Sequence, residues 1–530
     1  MLLNCIGDSS VFLKLLWWVI MKTVAVKKRV VQASRRASGN RESESKVPAE
    51  QALAETSRSD ARLYEQVAER ILQLIEGGTL RPGQRVPSVR ELSTQQGVSV
   101  STVLQSYRKL ENAGWIEARP QSGYYVRQSH QSLPPEPEAT QPPFQATSVS
   151  ISELVMQVMQ SSSRSGMIQL GAATLCPDMM PTRQLYRAMA AVTRRTPHLA
   201  VAYDIPPGCE ALRVQIARRS MNAGCTLTPD DLVITCGCQE ALNLCLRAVA
   251  KPGDTILLES PTYYGVLQII ESLGMCALEL PTHPRDGINL DALEYALEQK
   301  EVTACLLSPN FTNPLGSCMP DENKERLVQI LERHNIPLIE DDIYGDIAFA
   351  PRRPKTAKAF DRSGNVLMCS SFSKTLAPGY RIGWVAPGRY QKQIEYLKVM
   401  NTLASASLPS LTVAEFLANG SYDHHLRRIT RWYRDRVQCA LHGIEQYFPE
   451  GTRVTRPAGG YVVWVQLPDG VDALDLFRRA LAENISIAPG HIFSAKPKYS
   501  NFIRLNCGYH EPPTMESALQ KLGQIVHSML

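Results

Sequence analysis

The residues with the most chemical content lie in Met368-Cys-Ser-Ser371-Phe-Ser373-Lys374-Thr-Leu-Ala-Pro-Gly379-Tyr-Arg381-Ile-Gly-Trp384. An apolar run, Val366-Leu-Met, reads as a strand end that delivers one lysine, flanked by serines, into a glycine-containing loop. A lysine amine condenses with carbonyls to a Schiff base once desolvation or a cationic neighbour strips its charge. Hydroxyls beside it, and the guanidinium of Arg381, can hold a phosphate. An aldehyde and a phosphate in one molecule describe pyridoxal 5'-phosphate (PLP). A surface lysine in a serine-rich turn has the same local look, so the rest of the chain has to decide.

The elements that would position this loop are strand-like runs alternating with helical ones: Asp231–Thr235, Thr255–Glu259, Ala304–Pro309, Ile336–Glu340 and Val366–Cys369. Such alternation implies a mostly parallel sheet covered by helices, with ligands gathered at the strands' carboxyl ends. Candidate groups follow each run. Cys236-Gly237-Cys238-Gln239 opens a helix, whose free N–H groups attract a phosphate. Glu259-Ser-Pro-Thr-Tyr263-Tyr264 offers an aromatic ring, though either tyrosine could be core. Pro309-Asn-Phe-Thr-Asn313 carries an amide able to donate to a phenolate oxygen. Glu340-Asp341-Asp342-Ile-Tyr344 sets adjacent acids at a strand end, costly unless a cation answers them. A pyridinium nitrogen is one such partner, and a helix cap is the plain alternative.

In this order, ending at Lys374, these groups resemble the fold-type-I aminotransferases, from about Ile168 to the C-terminus. The resemblance implies a large domain with a mostly parallel sheet and a small C-terminal domain. It implies that Lys374 carries PLP and shuttles the proton, that Asp341 pairs with the pyridine nitrogen, and that Tyr344 and Asn313 hold the ring oxygen. Tyr263 would stack on the ring. Cys238, Gln239, Ser371, Ser373 and Arg381 would bind the phosphate, with Tyr203 reaching over from the other subunit of a homodimer. Arg504, in Phe502-Ile-Arg504-Leu-Asn506, would clamp a substrate α-carboxylate. The family usually has serine where Cys238 stands, which would cost little if backbone N–H groups do most of the phosphate binding.

Upstream, Leu63, Val67, Ile71, Leu74 and Ile75 recur at helical spacing, and Gly77-Gly78 should stop that helix. Ser88-Val-Arg-Glu91 reads as a capping box opening a second helix that ends at Gln96-Gly97. Ser99 should cap a third, with Val103, Leu104, Tyr107 and Leu110 inward and Ser101, Thr102, Gln105 and Arg108 outward. Trp115 to Val126 alternates around a turn, as a β-hairpin wing would. Two helices joined by a glycine turn can place the second in a DNA major groove, although nine cations against seven acids over 60–127 is a weak electrostatic signal. The motifs Arg85-Val-Pro-Ser88-Val-Arg90-Glu-Leu, Gly97-Val-Ser99-x-Ser-Thr102-Val and Arg119-x-x-Ser-Gly123 closely resemble the GntR family of bacterial repressors. That resemblance implies a winged helix-turn-helix and contacts to double-stranded DNA from Arg90, Ser99, Thr102, Arg108 and Gly123.

The whole chain, 530 residues long, has room for two or three domains. Its boundaries read as an extension over 1–60, the winged head over 61–127, a proline-rich linker over 128–164 and the α/β body over 165–530. The formal charge of +6 is local: residues 22–46 hold eight cations against two acids, so net charge says little about the body. The apolar run Val11–Met21 is interrupted by Lys14 and is short of the roughly 20 residues of a spanning helix. An organelle-targeting or membrane-anchor role is one reading of this stretch, and a disordered extension without a membrane partner is the expected one. The cysteines show no framework spacing, which suits reduced thiols in a cytoplasmic protein. No metal site is suggested.

A GntR-like head on an aminotransferase-like body resembles the MocR-type regulators. This implies a PLP-dependent transcriptional regulator that senses PLP or an amino acid or amine. A working aminotransferase with an accessory head is the competing reading, and a repressor with a dead pocket conflicts with the intact lysine.

Overall fold

The computed structural model describes residues 63–530 apart from 76–78, 82, 113, 120–121, 127–132 and 163–165. The extension over 1–60, with its Val11–Met21 run, and the Gly77-Gly78 stop lie outside the described residues. Among the described residues two compact units form, one from 63–73 with Ser88–Ser106, the other from Leu74–Pro87 with Tyr107–Leu530.

In the first unit, helix α1 (63–75) begins the chain and α2 (Val89–Gln96) opens on the expected capping box. The Glu91 N–H donates to Ser88 Oγ at 3.2 Å, and the Ser88 N–H to Glu91 Oε2 at 3.2 Å. Gly97 ends α2 at φ 63°, a left-handed conformation that costs a residue without Cβ little. Helix α3 (Val100–Asn112) follows, with the Thr102 N–H on Ser99 Oγ at 3.1 Å. Val103, Ser106, Tyr107 and Leu110 are its buried residues besides Thr102. Here the expectation is corrected at two positions. Thr102 is buried, its hydroxyl drawn to Ser99 Oγ at 2.7 Å, while Leu104 is 36% exposed.

In the second unit, β1 (Ile116–Arg119) and β2 (Gly123–Val126) form the antiparallel hairpin of the wing. A larger sheet comprises β3 (Thr147–Ser148), β4 (Val233–Thr235), β5 (Thr255–Glu259), β6 (Cys276–Leu280), β7 (Ala304–Leu307), β8 (Leu338–Asp341), β9 (Val366–Ser371) and β10 (Gly383–Ala386). Its eight strands lie in the order β3-β6-β5-β7-β8-β9-β10-β4. The run from β6 to β9 is parallel, β10 lies antiparallel to both its neighbours, and β3 is antiparallel at the edge. The strands β7, β8 and β9 are buried at every position, which is why each begins as an apolar run rather than alternating, with the polar residues of β8 and β9 only at their carboxyl ends. A four-stranded sheet in the C-terminal third consists of β11 (Arg453–Val454), β12 (Val462–Gln466), β13 (Ala488–Pro489) and β14 (Phe502–Asn506), ordered β11-β12-β14-β13. The cysteines among the described residues are free thiols, and no helix among them is long and apolar enough to cross a membrane.

Candidate functional site

The carboxyl ends of the parallel strands gather the expected groups, because each strand is buried to its last residue and turns sharply there. At the end of β8, Asp341 is buried and takes the Ile343 N–H at 3.2 Å and the Cys238 thiol at 3.4 Å. Burial, the largest influence, pushes its carboxyl up to about 6 against those two bonds. The neighbouring Asp342 is answered differently. Arg353 and the Asn310 amide, at 2.8 Å, both bond it, and Arg353 also reaches Asp346 at 2.7 Å. Of the two adjacent acids, then, only Asp341 lacks a cationic side chain among its hydrogen-bond partners.

At the end of β9, a single 3-10 turn, Phe372–Lys374, carries the lysine. Its amine donates to the Ala173 carbonyl at 2.7 Å. Burial first, and then the Arg504 guanidinium, push that amine down to about 8, with Asp341 pulling the other way. The turn is pinned from behind: Tyr422 donates to Thr375 Oγ1 at 2.8 Å, and His425 Nε2 lies 2.8 Å from the Thr375 carbonyl. Ser371 Oγ accepts the Ser373 N–H at 3.2 Å.

Between β4 and the helix Cys238–Val249, Gly237 brings the backbone close to two neighbours. A side chain there would collide with Arg381, at 2.4 Å from its guanidinium, and one on Gly383 would meet the Gly237 carbonyl carbon at 2.4 Å. Arg381 donates to the Cys236 carbonyl at 3.0 Å, so its charge sits against the first free N–H groups of the helix. The loop is held from below by Glu240, which takes the Cys236 N–H at 2.6 Å and the buried Lys398 ammonium at 2.6 Å. Gln239 is exposed and gives its amide to the Gly265 carbonyl at 3.1 Å.

Arg504, on β14, is fully buried. Its guanidinium donates to Asn313 Oδ1 at 3.2 Å and to the Gly171 carbonyl, and stands over the Phe493 ring at 5.5 Å. No carboxylate is among these partners, and Nε has none. Tyr344 is buried with its hydroxyl unpartnered in hydrogen-bond geometry, edge-on to Tyr461 at 5.5 Å between ring centroids. Tyr263 is half-buried and packs against Tyr264 at 4.7 Å. Tyr203 is 73% exposed. It stands apart from these groups in its accessibility.

In the head, Arg90, Ser99 and Arg108 are exposed, as is Gly123, against which the Arg85 guanidinium would press any added side chain at 3.2 Å. Sequence reasoning missed Gly171 and Ala173, whose carbonyls receive Arg504 and Lys374, and Arg353, which engages the second acid. Carbonyls carry no sequence signal, and Arg353 looks like any surface cation.

Two family models match the chain. Aminotransferase class I and II covers residues 176–522, and the bacterial regulatory proteins of the gntR family cover 63–126. Two Escherichia coli K12 relatives, the uncharacterized HTH-type transcriptional regulators YdcR and YjiR, are 40% and 38% identical. Each alignment takes in 88% of this chain, with 99% of YdcR and 98% of YjiR. Among solved structures, Pyrococcus horikoshii kynurenine aminotransferase, in complex with PMP, superposes with a TM-score of 0.67 at 28% identity, covering 71% of this chain and 95% of that one. LysN of Thermus thermophilus, an alpha-aminoadipate aminotransferase complexed with N-(5'-phosphopyridoxyl)-L-leucine, gives 0.65 at 28% identity, covering 72% and 99%.

Proposed function

The chain belongs to the aminotransferase class I and II family and carries a gntR-family regulatory head, and we propose that it is a transcription regulator governed by PLP and an amino-acid or amine effector. The observation that carries this reading is a lysine amine on the Ala173 carbonyl, in one site with the buried Asp341 carboxyl and a buried arginine that has no acid partner. Arg504 Nε is buried without a partner, the Tyr344 hydroxyl has only Tyr461 beside it, and the start of the helix at Cys238 stands against the Arg381 guanidinium. These residues fit the coenzyme. When bound, PLP supplies an aldehyde carbon that condenses with amines and a ring that withdraws electrons.

The protein's own part is binding and placement. Lys374 would hold the coenzyme through its amine, which burial lowers to about 8 so that part of it is unprotonated near pH 7. Asp341 would pair with the ring nitrogen, a positive partner that offsets the cost of its buried charge. Tyr344 and Asn313 would hold the ring oxygen, and Tyr263 would cover the ring. Backbone N–H groups of Cys238 and Gln239, the hydroxyls of Ser371 and Ser373, and Arg381 hold the phosphate. The Cys238 thiol is turned to Asp341, so at that position the main chain would do the phosphate binding. Arg504 takes the effector's carboxylate. Val201, Tyr203 and Met400 are apolar and exposed, which supports a homodimer in which Tyr203 completes the site of the second copy.

The head binds promoter DNA through α3, with Arg90, Ser99, Arg108 and the wing glycine Gly123 against the duplex and Thr102 shaping the helix start. Such a protein works in the cytoplasm. Gel shift on the gene's own promoter region, with and without PLP and amino acids, tests the reading. Arg108→Ala should weaken binding and lower its salt dependence. Operator affinity indifferent to every addition would refute effector control. A second reading, turnover as an aminotransferase, is favoured by Arg504 and Lys374 standing in one site, and sustained conversion of an oxo-acid acceptor would establish it.

A further inference from the structure

Residues 133–148, which lead from the head into the body, are bonded along their length to two different parts of that body. Five prolines within this segment (Pro134, Pro135, Pro137, Pro142 and Pro143) have no N–H to give, so it offers mainly carbonyls and acids, and the body supplies the donors.

On the side of the four-stranded sheet, the Val454 N–H donates to the Pro135 carbonyl at 2.9 Å, continuing the edge of β11. Arg456 reaches the carbonyls of Leu133 at 3.1 Å and Pro134 at 3.0 Å, and Arg453 pairs with Glu138 at 3.2 Å. Lys498 meets the Gln141 carbonyl at 3.2 Å. On the side of the eight-stranded sheet, Arg285 pairs with Glu136. The Thr140 N–H donates to the Thr282 carbonyl at 3.1 Å, and the Thr282 N–H returns to Thr140 Oγ1 at 2.9 Å. Thr140 Oγ1 in turn donates to the Ser260 carbonyl at 2.6 Å. Thr147–Ser148 then joins β6 as an antiparallel strand.

The site divides along the same seam. Arg504 stands on β14, in the four-stranded sheet, while Asp341 ends a strand of the eight-stranded one and Lys374 and Asn313 follow others. A ligand held by both sets of groups therefore couples the two parts that residues 133–148 bridge. A short path also links the site to this segment directly. The Arg504 guanidinium lies over Phe493, the Phe493 carbonyl accepts the Thr262 N–H at 2.9 Å, and Ser260 in that same loop is the acceptor for Thr140.

We propose that residues 133–148 form a strap across this seam, that an α-carboxylate-bearing ligand bridging Arg504 and the Lys374 side changes how tightly the strap is held, and that this change reaches the head along the chain. The proposal rests on the PLP-site reading, and the ligand acts only so far as it binds the two strap states unequally.

Hydrogen–deuterium exchange on the full chain tests it in three states: ligand-free, with PLP, and with N-(5'-phosphopyridoxyl)-L-leucine, which carries phosphate, ring and carboxylate together. Exchange at Thr140, Thr282 and Val454 should differ about tenfold between the last two states. Thr140→Val, which keeps the backbone but loses the hydroxyl, should erase that difference while both compounds still raise Tm. Binding of both compounds without any change at these amides overturns the strap and leaves the cofactor reading standing. A difference that survives in Thr140→Val also overturns it. Failure of either compound to bind refutes the PLP site, and the strap proposal with it.

Discussion

Replacing Arg504 by methionine, which keeps much of the volume and removes the charge, isolates the contact with an effector's carboxylate. Arg504 is fully buried, its hydrogen-bond partners are an amide oxygen and a main-chain carbonyl, and its Nε is unpartnered. A carboxylate arriving there gains charge-assisted hydrogen bonds worth about 1.5–3 kcal/mol. Losing them should raise the Kd of an α-amino acid about 10- to 150-fold. An amine of the same side chain without the carboxylate never made that contact, so its Kd should stay within about twofold. The assay is titration of the PLP-loaded protein with L-leucine and with isoamylamine, followed by the absorbance of the bound coenzyme. Equal weakening of both would mean that Arg504 shapes the pocket rather than reading a carboxylate, and would refute the reasoning.

The amine of Lys374, at about 8, should make capture of added PLP by the ligand-free protein rise about fivefold from pH 7 to 8 and level off above pH 9; an ordinary lysine would keep gaining about tenfold per unit. The sign for stability follows from the same shift. Folding disfavours the ammonium, so Lys374→Met should stabilise the ligand-free protein at pH 7, and the gain should fade as pH rises from about 8 through the ordinary lysine range. Arg353→Ala leaves Asp342, and in part Asp346, buried without their cation, and should cost roughly 3–5 kcal/mol in denaturant unfolding. A loss below about 1 kcal/mol would show that water replaces the guanidinium there.

Much of the candidate site was legible because its chemistry sits in side-chain types placed at or just after the ends of apolar runs. Lys374, Asp341, Asn313 and Tyr263 each follow or end a strand whose burial on both faces leaves a run of apolar letters. Strands with a weaker imprint escaped. Gly383–Ala386 begins with a glycine that is there to let the Gly237 backbone approach, and Cys276–Leu280 carries Glu279 in its middle. Along α3 polarity alone gives the wrong facing at Thr102, which is buried with its hydroxyl on Ser99 Oγ, and at Leu104, which is exposed. Residues 133–148 gave no hint of their anchoring, since every bond holding Thr140 is made to a residue more than a hundred positions away.

The most direct test of the account is borohydride reduction of the PLP-loaded protein followed by peptide mapping. The account predicts a single phosphopyridoxyl label, on Lys374, and its loss in Lys374→Ala. A label on any other lysine, or protein that takes up no PLP before reduction, would contradict it.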